Sequence, residues 1–270
     1  MTSTSGSTQR SRPVSTAAVV THGTKDVREA VERVEAVAVA HGVRLVDDPR
    51  SADLAVAVGG DGTILRTLGA LLGSNVPVIG VNFGRVGFLA SIEPDRLEHD
   101  LARVFSGEYA VVELPTLELA LDGERHIAVN DVVATSSILG RMVELGWAVG
   151  GEDLGVIPCD GMICATPSGS TAYNLSNGGP VLVRGLDAMA VTFIAPHSLH
   201  ARPLVVPRGP ALTVANRTPD VPLAVLVDGN RVGEVARDEH VSIRLCEQWS
   251  LLATLPETTF FGRYRETFSS

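Results

Sequence analysis

The hydrophobic period of the chain changes near Val112, and a chain with two periods must build two kinds of core. Before that point, apolar runs of strand length alternate with helical patterns. "AAVVTHG" (17–23), "VRLV" (43–46), "LAVAV" (54–58) and "VPVIGV" (76–81) are the runs. Between the first two, Thr24 is placed to cap a helix whose Val27, Val31, Val34 and Ala38 share one face, with Gly42 as its stop. "TILRTLGALLG" is a helix closed by Gly73, and "PDRLEHDLARVFSG" opens on Pro94, spaces Leu97, Leu101 and Val104 helically, and ends at Gly107. Such alternation predicts a mostly parallel sheet covered by helices. After Val112 the period becomes two. "LELAL", "RMVELGWAV", "ALTVAN", "LAVLV" and "VSIRL" are strands, and Asp122-Gly123, Gly150-Gly151 and Asp228-Gly229 are hairpin turns between them. The expected organisation is a polar, disordered tail over 1–15 and an α/β domain over 16–112. An all-β, sandwich-like domain follows over 113–254, and a tail over 255–270, carrying "FFGRYRETF", packs elsewhere.

Composition narrows the function classes. A net charge of -9 over 270 residues argues against nonspecific binding to nucleic acid or anionic membrane, which needs basic surface. No apolar stretch approaches the ~18 residues of a membrane span. The first 16 residues have no hydrophobic signal core and are read as the polar tail. Cys159, Cys164 and Cys246 cannot all pair and fit no zinc spacing, which suits reduced, buried thiols in a cytoplasmic protein. The only lysine is Lys25. A Walker P-loop and a protein kinase both need a lysine on the phosphates, and neither pattern is present. Phosphate chemistry in this chain must use arginine, backbone N–H groups and a metal.

Residues 59–63, Gly-Gly-Asp-Gly-Thr, end an apolar run and begin a helical one. A strand that turns through Gly59, Gly60 and Gly62 into a helix N-terminus exposes N–H groups that suit phosphate. Asp61 would repel a bare phosphate. Its presence asks for magnesium, or for a hydroxyl that must lose its proton. The alternative is a helix N-cap shared with Thr63. A second stretch, "CDGMICATPSGSTAYNLSNGGP" (159–180), packs small hydroxyl residues and glycines around Tyr173. Composition alone permits a backbone-rich pocket for a planar, polar ligand, or an ordinary loop.

In order, Gly-Gly-Asp-Gly-Thr at 59–63, Asn130 with Asp131, and Thr-Pro-Ser-Gly-Ser-Thr-Ala-Tyr at 166–173 resemble the NAD kinase family. "GVNFGRVGFLA" (80–90), "NGGPVL" (177–182) and "PHSLHARPLVVP" (196–207) accompany them in the family's order. The first motif alone is shared with lipid and sugar kinases; the second points to NAD.

The resemblance implies an α/β N-terminal domain and an all-β C-terminal domain, with a C-terminal segment that returns to the first. It also implies a homo-oligomer, dimer or tetramer, in which neighbouring chains complete the NAD site. The implied reaction moves a terminal phosphoryl group from ATP or polyphosphate to the 2′-hydroxyl of the adenosine ribose of NAD, giving NADP. Asp61 is then the general base, and Gly59, Gly60, Gly62 and Thr63 shape the donor-phosphate site. Mg2+, or another divalent metal, neutralises the donor, with its ligands unassigned. Family positions that contact NAD fall on Asp61, Gly62, Arg66, Phe83, Asn130, Asp131, Arg141, Asp160, Thr171, Ala172, Tyr173 and Ser176. Phe83 is read as an aromatic wall, while Asp228-Gly229 is read as structural despite recurring in the family. Asn174 and Asn177 depart from the usual smaller residues and are placed to alter pocket hydrogen bonding. His197 and His200 form no metal spacing. The competing classes are a lipid or sugar kinase and a non-catalytic NAD(P)-binding sensor; Asp61 argues against the sensor.

Overall fold

Residues 54–59, the core of the first apolar pattern, are buried along their whole length. A strand covered on both faces reads as a continuous apolar run in this way. The structure, a computed structural model, describes residues 7–10, 12–22, 27–83 and 87–268. In chain order it begins with β1 (Ser7–Arg10), β2 (Thr16–Thr21), α1 (Arg28–Ala40), β3 (Arg44–Leu45), β4 (Leu54–Gly59), α2 (Asp61–Ala70), β5 (Val78–Asn82), α3 (Leu97–Phe105) and β6 (Tyr109–Leu114). Then come β7 (Leu117–Leu121), β8 (Glu124–Ala128), β9 (Asp131–Ser136), β10 (Val143–Val149), β11 (Glu152–Cys159) and β12 (Gly161–Ala165). A short helix α4 (Tyr173–Ser176) precedes β13 (Ala188–Ile194), β14 (Leu204–Pro207), β15 (Leu212–Asn216), β16 (Leu223–Val227), β17 (Asn230–Val235) and β18 (His240–Leu245). The chain closes with β19 (Ser250–Thr254) and α5 (Phe260–Phe268). Two compact units result, one of residues 1–114 with 249–270, the other of 115–248.

The first unit is built on one sheet in the order β1-β6-β19-β5-β4-β2-β3. Pairing is parallel from β19 through β5, β4, β2 and β3, and antiparallel where β6 meets β19 and β1. Leu54, Val56, Val58, Ile79 and Val81 from the strands pack with Val34, Leu97 and Leu101 from the helices. Helices α1 and α3 are also pinned by Arg33, which donates to Glu98 at 2.6 and 2.8 Å and to the Pro94 carbonyl at 2.7 Å.

Two boundaries differ from the sequence reading. Residues 7–10, inside the expected polar tail, form β1 on the edge of this sheet. A polar strand is invisible to hydrophobic periodicity, and here the backbone ladder to β6 orders it. The second difference is larger. Residues 250–254, expected to end the all-β domain, enter the first sheet between β6 and β5. The return to the first unit therefore begins at Trp249 rather than 255. The expected cap, Thr24, lies outside the described residues, as does Lys25.

The second unit is two six-stranded antiparallel sheets, ordered β11-β10-β15-β18-β7-β8 and β14-β13-β12-β9-β16-β17. Their inner faces share one core, in which Trp147 of β10 meets Phe193 of β13 edge-on at 5.3 Å. The hairpins at Asp122-Gly123 and Asp228-Gly229 carry positive φ at both residues, the conformation a tight two-residue turn demands. Strand β12 lies inside the stretch read as a possible pocket, and all five of its residues are buried. The three cysteines are buried and unpaired; burial pushes the Cys159 thiol up to about 12, which keeps it unreactive. Among the described residues no helix is long and apolar enough to cross a membrane.

Candidate active site

In the first unit, β4 ends at Gly59 and α2 starts at Asp61, with Gly60 as the N-cap residue in an extended conformation. Asp61 is therefore the first helical residue and does not cap its own helix. Its carboxylate instead reaches the segment after β5, where it accepts the N–H of Phe88 at 2.9 Å and of Leu89 at 3.3 Å. That approach needs a glycine before Phe88: a Cβ on Gly87 would lie 2.1 to 2.4 Å from the Asp61 carboxyl atoms. The Gly59 carbonyl accepts from Phe83 at 3.0 Å, tying the turn to the end of β5. Thr63 points inward and is buried, so it supports the turn from beneath. By contrast, among the described residues a Cβ on Gly60 or Gly62 would meet nothing within 4 Å, so neither glycine is crowded by them at the helix N-terminus. A negative charge in this first turn is also favoured by the helix dipole.

Arg66 is exposed on α2, one turn beyond Gly62. Phe83 is half-buried against the core of the first unit. Its contact is therefore with the core, whatever else its exposed edge meets.

In the second unit, Asn130 and Asp131 open β9 beside Ala165, the last residue of β12. The segment after β12 is strapped onto them. Thr166 donates its N–H to the Asn130 carbonyl at 2.8 Å and its hydroxyl to the Val129 carbonyl at 2.7 Å. Gly169 lies so close that a Cβ there would sit 2.1 Å from the Asn130 carbonyl oxygen. From the other side, the Asp228 carboxylate accepts three successive amides, those of Val129 at 2.8 Å, Asn130 at 2.7 Å and Asp131 at 3.1 Å. Asp228, read as structural from its hairpin context, is so, and its side chain also shapes the Asn130 turn. The recurrence of Asp228-Gly229 in the resembled family was the available signal.

This turn carries two unspent polar groups. Asn130 Oδ1 is buried with no hydrogen-bond partner. Asp131 is buried, and desolvation, then the nearby Asp228 charge, push its carboxyl up to about 7. Burial raises Asp228 as well, but its three amide bonds pull the other way. The proton therefore belongs on Asp131, whose carboxylate has no such donors among the described residues. Ser168 Oγ, two residues past Thr166, is also buried without a partner. An orphaned acceptor and a poised carboxyl are what a hydroxyl- and amine-bearing ligand satisfies.

Thr171 and Ala172 are half-buried beyond the strap, while Tyr173 and Ser176 on α4 are exposed. Asn174 is not a pocket residue. It is fully buried, donates to the Ser170 and Pro180 carbonyls at 3.0 Å each, and accepts from the Thr192 hydroxyl at 2.7 Å. Asn177 likewise serves the backbone, donating to the Tyr173 carbonyl. Asp160 and Arg141 are exposed and lie elsewhere: Asp160 precedes β12 and Arg141 follows β9, at the ends of those strands away from Asn130 and Ala165. At about 3.3 Å per residue, the five residues of β12 put Asp160 on the order of 15 Å from the strap. His197 donates its amide to the Pro158 carbonyl, and among the described residues no group of three or more His, Cys, Asp or Glu could hold a metal ion.

The family profile described as ATP-NAD kinase N-terminal domain matches residues 7–109, and that described as ATP-NAD kinase C-terminal domain matches 129–254. An NAD kinase from Heliobacterium modesticaldum is 39% identical over 227 residues, 82% of this chain and 80% of that one. One from Thermomicrobium roseum is 34% identical over 262 residues, covering 93% and 90%. Among solved structures, an Archaeoglobus fulgidus NAD kinase in complex with ATP has a TM-score of 0.79 at 30% identity, covering 93% of this chain and 98% of that one. A yeast NADH kinase complexed with NADH has a TM-score of 0.85 at 21% identity, covering 95% and 88%, and shares the fold. An α/β unit with a carboxylate at its glycine turn, joined to an antiparallel β unit, is thus the frame of a phosphotransferase. The chain belongs to the NAD kinase family.

Proposed function

We propose that this NAD kinase transfers the terminal phosphoryl group of ATP to the 2′-hydroxyl of the adenosine ribose of NAD, with Asp61 as general base. As the ribose oxygen bonds to phosphorus, the bond from phosphorus to the bridging oxygen of ADP breaks, and the hydroxyl proton passes to Asp61. Positioning and charge neutralisation dominate such transfers. The observation that carries the reading is the Asp61 carboxylate itself, held by the Phe88 and Leu89 amides at the helix N-terminus, where Gly60 and Gly62 carry no side chain. A residue present only to cap the helix has no use for that geometry. Gly60 and Gly62 supply room and amides for the donor phosphates.

Each Asp61 oxygen takes one N–H, which leaves lone pairs on both, so the carboxylate fits a role beside a divalent ion. Mg2+ bound there with the donor phosphates would neutralise their charge, since it favours one or two carboxylates plus phosphate oxygens. Asn130 and Asp131 receive the dinucleotide, and the orphaned Asn130 Oδ1 supports this. Asp160 and Arg141 stand at the other end of the same sheet, which favours their serving the ligand of a second copy in a homo-oligomer.

Asp61→Asn tests the base. The variant keeps one acceptor for the two amides, so it should melt somewhat lower yet stay folded at the assay temperature and bind NAD by calorimetry, while NADP formation falls by ~10²-fold or more. The same assay in EDTA should lose turnover without loss of the fold, and a polyphosphate arm reads the donor. Near-parental turnover in the asparagine variant overturns the assignment.

A further inference from the structure

The base reading leaves open what holds the Phe88 and Leu89 amides on Asp61, and the first unit supplies a holder from the far end of the sequence. Helix α5 places Phe260, Tyr264 and Phe268 at intervals of four, one aromatic stripe. Phe88 sits against this stripe, with ring centroids 6.2 Å from Phe260 and 5.8 Å from Phe268. Tyr264 bridges the two at 6.4 and 4.9 Å. Two turns of helix separate Phe260 from Phe268, so one ring within about 6 Å of both lies centrally over the stripe. The same helix grips the chain just beyond. Arg263 donates to the Ala90 carbonyl at 2.8 Å and to Glu93 at 3.2 Å, with its side chain only 11% exposed. Segment 88–93 is thus held both by Asp61 and by α5.

Helix α5 contributes no buried residue to the core, and Phe261, Tyr264 and Phe268 are 68%, 41% and 43% exposed. A helix whose only task was to close the hydrophobic core would bury this stripe. Its contacts with Phe88, Ala90 and Glu93 fall on the segment whose first two residues present their amides to the carboxylate. We propose that α5 is a positioning element for phosphoryl transfer: Phe260, Phe268 and Arg263 fix segment 88–93 and thereby the orientation of Asp61. The proposal rests on Asp61 being the base. When the clamp is loosened, the carboxylate loses its two fixed donors and swings from the line of the ribose hydroxyl. Misplacement of about 1 Å in such a group costs up to ~10²-fold in rate.

The test compares Phe260→Ala/Phe268→Ala, Arg263→Met, the conservative Phe268→Tyr and the control Arg265→Ala in the full-length chain, each alone and combined with Asp61→Asn. Expected results are a kcat about tenfold lower or more for the alanine pair and for Arg263→Met, with the KM for NAD within twofold of the parent. Phe268→Tyr and Arg265→Ala should keep parental kcat. In the Asp61→Asn background the same substitutions should change the residual rate less than twofold, because the group they position is gone. Thermal melts confirm folding at the assay temperature, and Arg263→Met carries the test if the alanine pair does not fold. If Asp61→Asn is inactive and the α5 variants turn over like the parent, the positioning role fails and the base stands. An α5 loss that persists in full in the asparagine background also overturns positioning. High turnover in Asp61→Asn alone removes the base reading and this one with it.

Discussion

Asp131 is 7% exposed beside Asp228, and its carboxyl is raised to about 7, by desolvation first and the Asp228 charge second. A raised carboxyl in the folded state means that the native chain holds a proton the unfolded chain has released. The contribution is fully present below the ordinary carboxylate range and is lost as pH rises through about 7. Above that, the fold must keep a charged Asp131 in place at a cost of up to roughly 4 kcal/mol, at ~1.4 kcal/mol per unit. Asp131→Asn keeps the shape without the charge. Its melting temperature should exceed the parent's by several degrees at pH 8 and by about half as much near pH 5.5, the gap closing only below the ordinary carboxylate range. An equal difference at both values contradicts the assignment. The stabilised variant should also lose NAD affinity, so that function and stability part at one residue.

Among the elements, the turn from β4 into α2 meets the segment after β5 through a single glycine. Gly87 has no side chain because the Asp61 carboxylate occupies that space. Gly87→Ala must push either segment 87–89 or Asp61 aside, and overpacking of this kind costs ~1–3 kcal/mol. We expect a modest fall in melting temperature and a kcat at least tenfold lower, with calorimetric NAD binding retained. Parental kcat would show that the carboxylate tolerates displacement. The strap in the second unit follows the same logic with different parts. Thr166, Gly169 and Asp228 all act on the backbone of one turn, so the groups left free for a ligand are the side chains of Asn130 and Asp131.

For the whole molecule, the positions of Asp160 and Arg141 bear on assembly. Both occupy the end of the sheet opposite Asn130, and one strand length separates the two ends. If each bound NAD uses the Asn130 end of one copy and the Asp160 end of another, defects at the two ends complement. Asp131→Ala and Asp160→Ala should each be weak alone. Mixed assemblies formed by co-expression should recover clear activity, because some sites then carry both intact ends. A mixed preparation no more active than the sum of its parents would place both residues on the same copy's ligand, or Asp160 on none.

Local order was legible wherever a residue's partner is near in sequence. The runs at 54–58 and 223–227 are strands and 97–105 is a helix, because burial on one or both faces imposes its own period on the side chains. The glycine turn at 59–63 was legible too, through residue types that chemistry requires there, and Asn130 with Asp131 through the resemblance to the family. What required the folded chain was every pairing between distant segments. "SLLAT" falls inside the span read as all-β, and nothing in five residues states that its neighbours are β5 and β6 rather than the sandwich. Likewise Asp61 alone permits a cap or a base. The amides of Phe88 and Leu89, 27 and 28 residues away, take the carboxylate off its own helix and exclude the cap, and the stripe on α5 that meets Phe88 lies farther still along the chain. Periodicity records how a side chain faces water, and it carries no address for the backbone group that the side chain will meet.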